Sequence, residues 1–416
     1  MRVLPIFLLM FLIAAAVRPA LAQNGDPNLR TAMRVLQTTP LIDGHNDLAW
    51  AIREHGGDVD AYDLRSHTPG QTDLERLGKG MLGGQFWSVY VPGEYADSGF
   101  ARVQLEQIAI ARRFIEKYPD RFTWALTASD MWKAFGEGRI GSVLGIEGGH
   151  VIENSLGALR AYYDLGVRYM TLTHNVTTDW ADAALGIPKH GGLTAFGEEV
   201  VREMNRVGML MDLSHTAPST MSDAIRVSRA PVIFSHSGAR GLVDHPRNVP
   251  DSILQKLAVN GGVVMVAFAP SFVSQEVNQW YHRHDRVVAD LKERFPNDAS
   301  RVIEETRAWD QAHPAPRATL SQVAGQIEYI RRVAGIDHVG IGGDFDGIGS
   351  TPVGLEDVST YPALFAELAR RGWSEEDLRK LAGENILRVM REAEVVAARM
   401  QREGRREETG VQATAK

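Results

Sequence analysis

Short apolar runs alternate with stretches of helical periodicity along most of this chain. Brief apolar runs bounded by turn-forming residues read as buried strands. Apolar residues at three- and four-residue spacing read as amphipathic helices. Eight runs have the first character: Leu41–Asp47, Gln85–Val91, Ser142–Glu147, Arg168–His174, Gly208–His215, Pro231–His236, Gly262–Phe268 and His338–Asp344. Helical patterns between them include Arg102–Lys117, Ser155–Leu165, Ala195–Arg206, Leu320–Val333 and Tyr361–Arg371. A long helix is predicted over Glu375–Met400, capped by Ser374. Alternating strands and helices imply an α/β fold with a parallel sheet. Eight such units close into a (β/α)8 TIM barrel. An open doubly wound sheet is the alternative, but it would carry a Gly-rich phosphate turn after a strand, and no such turn follows a strand here.

Three stretches fall outside the repeat. Ser271 to Arg317 is polar and helical in pattern, so a helical insertion at about 271–317 is expected before the last strand. Residues 401–416 are charged and poor in apolar residues, which predicts a disordered tail. At the start, Arg2, the apolar run Val3–Val17 and Ala20-Leu21-Ala22 form a signal-peptide pattern over residues 1–22. A membrane anchor is the competing reading. It needs roughly 20 apolar residues, whereas Arg18 and Pro19 end this run early. Residues 23–400 are then one barrel domain of an exported protein, periplasmic or secreted, with no membrane association after cleavage.

Composition removes several chemistries. The chain has no cysteine, which excludes disulfides, thiolate ligands, a cysteine nucleophile and a lipidated cysteine anchor. A net charge of -7 without a basic patch gives no reason to expect nucleic acid.

Six of the eight predicted strands end in a metal-ligand or acid/base residue: His45 with Asp47, then Glu147, His174, His215, His236 and Asp344. His45 and Asp47 are two apart and share a strand face. In a barrel these C-terminal ends converge on one bowl, where active sites of the fold lie. A single histidine at a strand end is more often a cap or a core residue; the signal is the convergence. Three histidines, an Asp and a Glu suit a divalent cation of intermediate hardness. Five ligands exceed what one catalytic zinc takes, so two metals sharing Glu147 fit better. Two metals polarise a substrate oxygen and lower the pKa of a trapped water from 15.7 toward about 7, making hydroxide available. His150 reads as a loop residue beside the bridge, and Asp43 as structural support. His55, His67, His190, His282 and His313 read as solvated.

Taken in order, the motifs resemble one family. Leu41-Ile42-Asp43-Gly44-His45-Asn46-Asp47 is similar to the opening of the membrane (renal) dipeptidases, peptidase family M19 of the amidohydrolase superfamily. Ile146-Glu147-Gly148-Gly149-His150, Tyr169-Met170-Thr171-Leu172-Thr173-His174-Asn175 and Asp212-Leu213-Ser214-His215 resemble its next signatures. So do Pro231-Val232-Ile233-Phe234-Ser235-His236-Ser237, Arg247-Asn248-Val249-Pro250-Asp251 and Gly342-Gly343-Asp344-Phe345-Asp346-Gly347.

The resemblance implies a dipeptidase with two zinc ions per chain. His45 and Asp47 would hold one zinc and His215 and His236 the other, with Glu147 bridging. His174 would contact the substrate carbonyl oxygen and the tetrahedral oxyanion. Arg247 would bind the C-terminal carboxylate. Asp344, rather than its neighbour Asp346, would handle protons. Tolerance of L-Xaa-D-Xaa dipeptides is also implied. The chain departs from the family's animal members in lacking cysteines and a hydrophobic C-terminal tail, in its long insertion, and in having Phe272 where they have tyrosine.

The expected partner is a small dipeptide; a homodimer is left open. Two other readings compete: a barrel of the same type acting on another amide, a lactam or an ester, and an inactive exported binding protein. Arg247 favours a substrate with a free carboxylate over the first. Retention of all five ligands and Asp344 argues against the second.

Overall fold

The computed structural model describes residues 26–414. The expected signal peptide lies outside the described residues. Among the described residues there are nine parallel strands: β1 (Leu41–Asn46), β2 (Leu82–Ser88), β3 (Phe122–Trp124), β4 (Ile140–Glu147), β5 (Val167–Thr171), β6 (Leu210–Asp212), β7 (Ile233–Ser237), β8 (Val263–Val266) and β9 (Val339–Ile341). Their order is β2-β1-β9-β8-β7-β6-β5-β4-β3, and a β2–β4 pairing closes eight of them into the expected barrel.

The ninth strand, β3, was not expected. It pairs with the first half of β4, Phe122 opposite Ile140, while β5 pairs with the second half, Glu147 opposite Thr171. Three residues are too few for an alternation to register. The second strand also lies earlier than expected, at Leu82–Ser88 rather than Gln85–Val91. Gly83 and Gly84 hide it from a hydrophobicity reading. Both pack so closely, against Pro40 and Phe135 and against Met131 and Ile42, that a Cβ would collide.

The barrel interior is filled from below. Ile386, Leu387, Met390 and Ala393 of the last helix, Asn385–Thr414, share a buried cluster with Ile42, Phe86, Val143, Tyr169, Ile233 and Met265. The predicted cap is present, with Ser374 Oγ accepting from Asp377 N at 3.1 Å, but the helix is interrupted by a π-turn at Lys380–Glu384. Helix also continues through Gln401 to Thr414, where a disordered tail was expected. The segment contains no proline, and its start is tied down. Gln401 Nε2 donates to Arg206 O at 2.9 Å, and Glu403 pairs with Arg229 at 2.9 Å. Among the described residues no helix is long and apolar enough to cross a membrane.

The insertion between β8 and β9 is helical, as expected. A short turn of helix, Pro270–Val273, leads into a hairpin of two helices, Gln275–Arg294 and Ala299–Ala312. The second of these buries no residue, and the pair is held by aromatic rings, with Trp280 5.6 Å from Trp309.

Asp43 fixes one side of the mouth from inside. Its carboxylate accepts from His45 N at 2.8 Å, Gly343 N at 2.8 Å, Gln85 Nε2 at 3.1 Å and the Tyr361 hydroxyl at 2.6 Å. One buried side chain thus ties β1 to β2, to the loop after β9 and to the helix Tyr361–Arg370. Tyr361→Phe is expected to cost about 1.5–3 kcal/mol of unfolding free energy, the usual worth of a hydrogen bond to a charged group. The check is a urea titration of the metal-free protein; an unchanged midpoint would show that Asp43 holds β1 and the loop after β9 without Tyr361.

Candidate active site

The sequence-predicted site residues do converge at the C-terminal end of the barrel, but by two routes. His45, Glu147 and His236 lie within strands, and Asp47 follows β1 directly. His174, His215 and Asp344 each lie three residues past the last residue of their strand. His215 and Asp344 adopt left-handed backbone, with φ of 65° and 64°. The chain has turned there, so these side chains enter the bowl from loops rather than from strand ends.

Glu147 sits at the centre. Its Oε1 lies 3.0 Å from His215 Nε2 and 3.4 Å from His236 Nε2, while its Oε2 lies 3.4 Å from His45 Nε2. Ser88 Oγ donates to Oε2 at 3.1 Å. Asp47 Oδ2 is 3.2 Å from His45 Nε2, and Asp344 Oδ1 is 4.0 Å from the same nitrogen. Each carboxylate oxygen of Glu147 therefore faces a different set of ligands. Three sets of donor atoms lie close enough to share an ion: His45, Asp47 and Glu147; Glu147, His215 and His236; and His45, His236 and Asp344.

The hydrogen positions decide whether a cation fits. His236 Nδ1 lies 2.8 Å from Ser235 Oγ, which donates its own proton to Asp212 Oδ2 at 2.5 Å. The serine oxygen must then accept, so the His236 proton is on Nδ1. His215 Nδ1 donates to Asn175 Oδ1 at 3.1 Å. Both rings therefore turn bare Nε2 lone pairs into the site. Those nitrogens are 2.9 Å apart and both face Glu147 Oε1. Three acceptors meet with no proton among them, and Asp47 Oδ1 is buried without a partner. Two neutral imidazoles with oriented outer partners suit a divalent metal. The residues present fit such ions.

Charge in the cleft follows from burial and crowding. Burial, with Arg247 and His174 beside His215 and His45 beside His236, holds both histidines well below the ordinary imidazole range. They stay neutral, as metal ligands must. Against burial, Glu147 and Asp47 hold His45 well above it. Burial raises Asp344 to about 8; His45 opposes this, and the Asp47 and Glu147 carboxylates add to it.

Arg247 is 2 % exposed, and burial lowers it to about 10. Among the described residues its guanidinium makes only long polar contacts, 3.5 Å to Ser237 Oγ and 3.4 Å to His236 O, and no carboxylate ion pair. Its guanidinium lies 5.2 Å from the Phe272 ring. His174 packs between Tyr90 and His215, with ring centroids at 4.6 and 4.3 Å. Asp47, Glu147, His174, His215, Arg247 and Asp344 all line one cavity of about 980 Å³.

Other readings resolve against this geometry. Asp346 exchanges hydrogen bonds with Gln71, its N donating at 2.7 Å and its Oδ1 accepting at 2.6 Å, so it pins a loop. His150 turns aside to Val91 O at 3.0 Å, and burial lowers it to about 4. His282, expected as merely solvated, lines the cavity mouth. Sequence reasoning missed Ser88, Asn175, Asp212, Ser235, Tyr90 and His245. Asn175, Asp212 and Ser235 stood inside the quoted motifs, one to three residues from a histidine. Their signal was there but carried no known geometry.

Comparison with known proteins agrees with this site. The chain matches the profile of the membrane dipeptidase family, peptidase family M19, over residues 29–404. It is 40% identical over 391 residues to the dipeptidase verJ of Clonostachys rogersoniana, covering 91% of this chain and 90% of that protein. The probable dipeptidase PvdM of Pseudomonas aeruginosa superposes with a TM-score of 0.77 at 25% identity, over 89% of this chain and 99% of that one. An M19 metallopeptidase named dipeptidase AC superposes with a TM-score of 0.72 at 25% identity, over 86% of this chain and 99% of that one. A barrel closed over these ligand groups, matched to that family along nearly its whole length, belongs to the membrane dipeptidases, peptidase family M19.

Proposed function

We propose that this chain is an exported zinc dipeptidase holding two ions, with His45 and Asp47 on one, His215 and His236 on the other, and Glu147 between them. The observation that carries this is the meeting of bare His215 and His236 nitrogens with a split Glu147 carboxylate. Bound ions would polarise the scissile carbonyl and acidify a water. Export rests on the leader pattern in residues 1–22.

The remaining residues divide the work. Arg247 holds the C-terminal carboxylate, since a buried guanidinium without a counter-ion calls for an anion. His174 donates to the carbonyl oxygen as negative charge develops on it. Asp344 takes a proton from the attacking water and returns it to the leaving amine. Its raised affinity for protons and its place beside His45 suit that double role. The grip on the carboxylate and a cavity of about 980 Å³ are compatible with either configuration at the C-terminal residue.

Three outcomes test this reading. Chelation is expected to abolish dipeptide hydrolysis, and zinc to restore it, with elemental analysis giving about two ions per chain. Full activity in metal-free protein would end the proposal. Arg247→Ala should raise KM sharply for a dipeptide while leaving the poor cleavage of its C-terminal amide unchanged. Equal cleavage of acid and amide by the unmodified enzyme would remove the arginine from the mechanism, and would favour another amide, a lactam or an ester. His174→Ala and Asp344→Asn should both keep their metals and lose at least about 100-fold in turnover. A variant that loses metal instead has lost a ligand, a result the His45, His236 and Asp344 grouping makes specific for Asp344.

A further inference from the structure

The cavity is larger than a dipeptide needs. At about 980 Å³ it lies near the top of the range for drug-sized ligands, about 300–1,000 Å³. Part of its wall comes from outside the barrel. Asn278, Tyr281, His282 and Asp285, all on the first insertion helix, line it. This helix is anchored to the loop that carries Arg247. Asn278 Nδ2 donates to Asp244 O at 3.0 Å, Gln275 Oε1 accepts from Asp244 N at 3.1 Å, and Asn248 Nδ2 donates to Phe272 O at 2.9 Å.

The helix is also braced from behind. Trp280 Nε1 donates to His313 O at 2.7 Å, Trp280 stacks on His284 at 5.1 Å, and Trp309 stacks on His313 at 4.6 Å. The second insertion helix buries no residue of its own. Its contribution is this brace. A helix pinned at its base and buttressed along its back is a wall with a fixed place beside Arg247.

We infer that the insertion helix is the specificity wall for the substrate residue whose carboxylate Arg247 holds, with Tyr281, His282 and Asp285 receiving its side chain. This rests on the Arg247 assignment above. β8, which leads into the insertion, lies between β7 and β9 in the ring. A C-terminal residue held by the Arg247 loop after β7 therefore has the insertion as its neighbour. Tyr281 is 40% exposed and the Asp285 side chain 75% exposed, so both are open to a ligand. A phenol, an imidazole and a carboxylate together favour a large C-terminal side chain ending in a donor or a cation. The matching substrate class is dipeptides of the Ala-Arg or Ala-Lys type, over Ala-Glu.

The test is a panel of Ala-Xaa dipeptides, with Xaa as Gly, Leu, Glu, Lys or Arg, assayed on zinc-loaded enzyme and on Tyr281→Ala, His282→Ala and Asp285→Asn. These positions are exposed, so folding should survive; circular dichroism and metal content confirm it for each variant. The expected result is a loss of at least about tenfold in kcat/KM for Ala-Arg and Ala-Lys, with Ala-Gly nearly unchanged. The preference for Arg over Glu should narrow in Asp285→Asn. Equal losses across the panel, or none, would overturn the wall. Arg247→Ala separates the two ideas. If it leaves Ala-Gly hydrolysis intact, the carboxylate assignment has failed; if it impairs Ala-Gly while the wall variants discriminate nothing, only the wall has failed.

Discussion

The mouth of this barrel is organised around the problem of neutralising one buried carboxylate. Glu147 is 4 % exposed, and an unpaired charge in that position would cost several kcal/mol. Its nearest neighbours on the Oε1 side are two imidazoles whose protons are committed elsewhere, to Asn175 and to Ser235. Protonating both there would place two buried imidazolium ions with their Nε2 atoms 2.9 Å apart, which burial and the neighbouring cations oppose. A divalent cation would meet the same electrostatic need with both imidazoles neutral. Asn175 and Ser235 thus fix the tautomer that turns both Nε2 lone pairs toward Glu147.

Those outer side chains in turn depend on the fold. Asp212 accepts four hydrogen bonds: from Ser214 N at 3.0 Å, Ser235 N at 2.9 Å, Ser235 Oγ at 2.5 Å and Thr171 Oγ1 at 2.6 Å. The donors come from β5, β7 and the turn after β6. Asp43 does the equivalent on the other side, joining β1, β2, the turn after β9 and Tyr361. Two buried aspartates therefore brace the two ligand groups, and Glu147 spans the gap between them. Glycine completes the packing. A Cβ at Gly347 would stand 2.2 Å from Asp47 Oδ2 and 2.6 Å from Asp344 Oδ1, so no other residue lets both carboxylates keep their places.

The fold and the candidate ligand cluster were legible in the sequence for different reasons. Strands such as Val143–Ile146 and Val263–Val266 are apolar because they are buried on both faces, and a run of that kind is visible without neighbours. β2 was misplaced because its close packing uses glycine, which carries no hydrophobic signal. The ligands stood out because histidines and carboxylates after apolar runs are costly unless used. The left-handed turns at His215 and Asp344 were not legible, since neither residue is glycine and the local sequence does not demand φ near 65°. The turns are held by long-range contacts. His215 O accepts from Ala184 N at 2.7 Å and Thr173 Oγ1 at 3.1 Å, and Asp344 N donates to His45 O at 3.2 Å. His282 was unreadable for the same reason: only the three-dimensional course of the insertion brings it to the cavity.

The same rigidity bears on why such a site would stop at dipeptides. Arg247 is seated beside the ligands themselves, its Nη2 3.4 Å from the carbonyl of His236. On the proposed roles, a dipeptide with its carboxylate on Arg247 and its scissile carbonyl at Glu147 would bridge the two with a single residue, consecutive Cα atoms being about 3.8 Å apart. A longer C-terminal extension would have to push a neutral peptide group against a buried, unpaired guanidinium. That forfeits the charge-assisted bonds that make the position favourable. Selection for length then needs no lid that measures the chain. It would follow from the separation between a cation-seeking cluster carried by β1, β4, β7 and the turn after β6 and one anion-seeking side chain on the loop after β7.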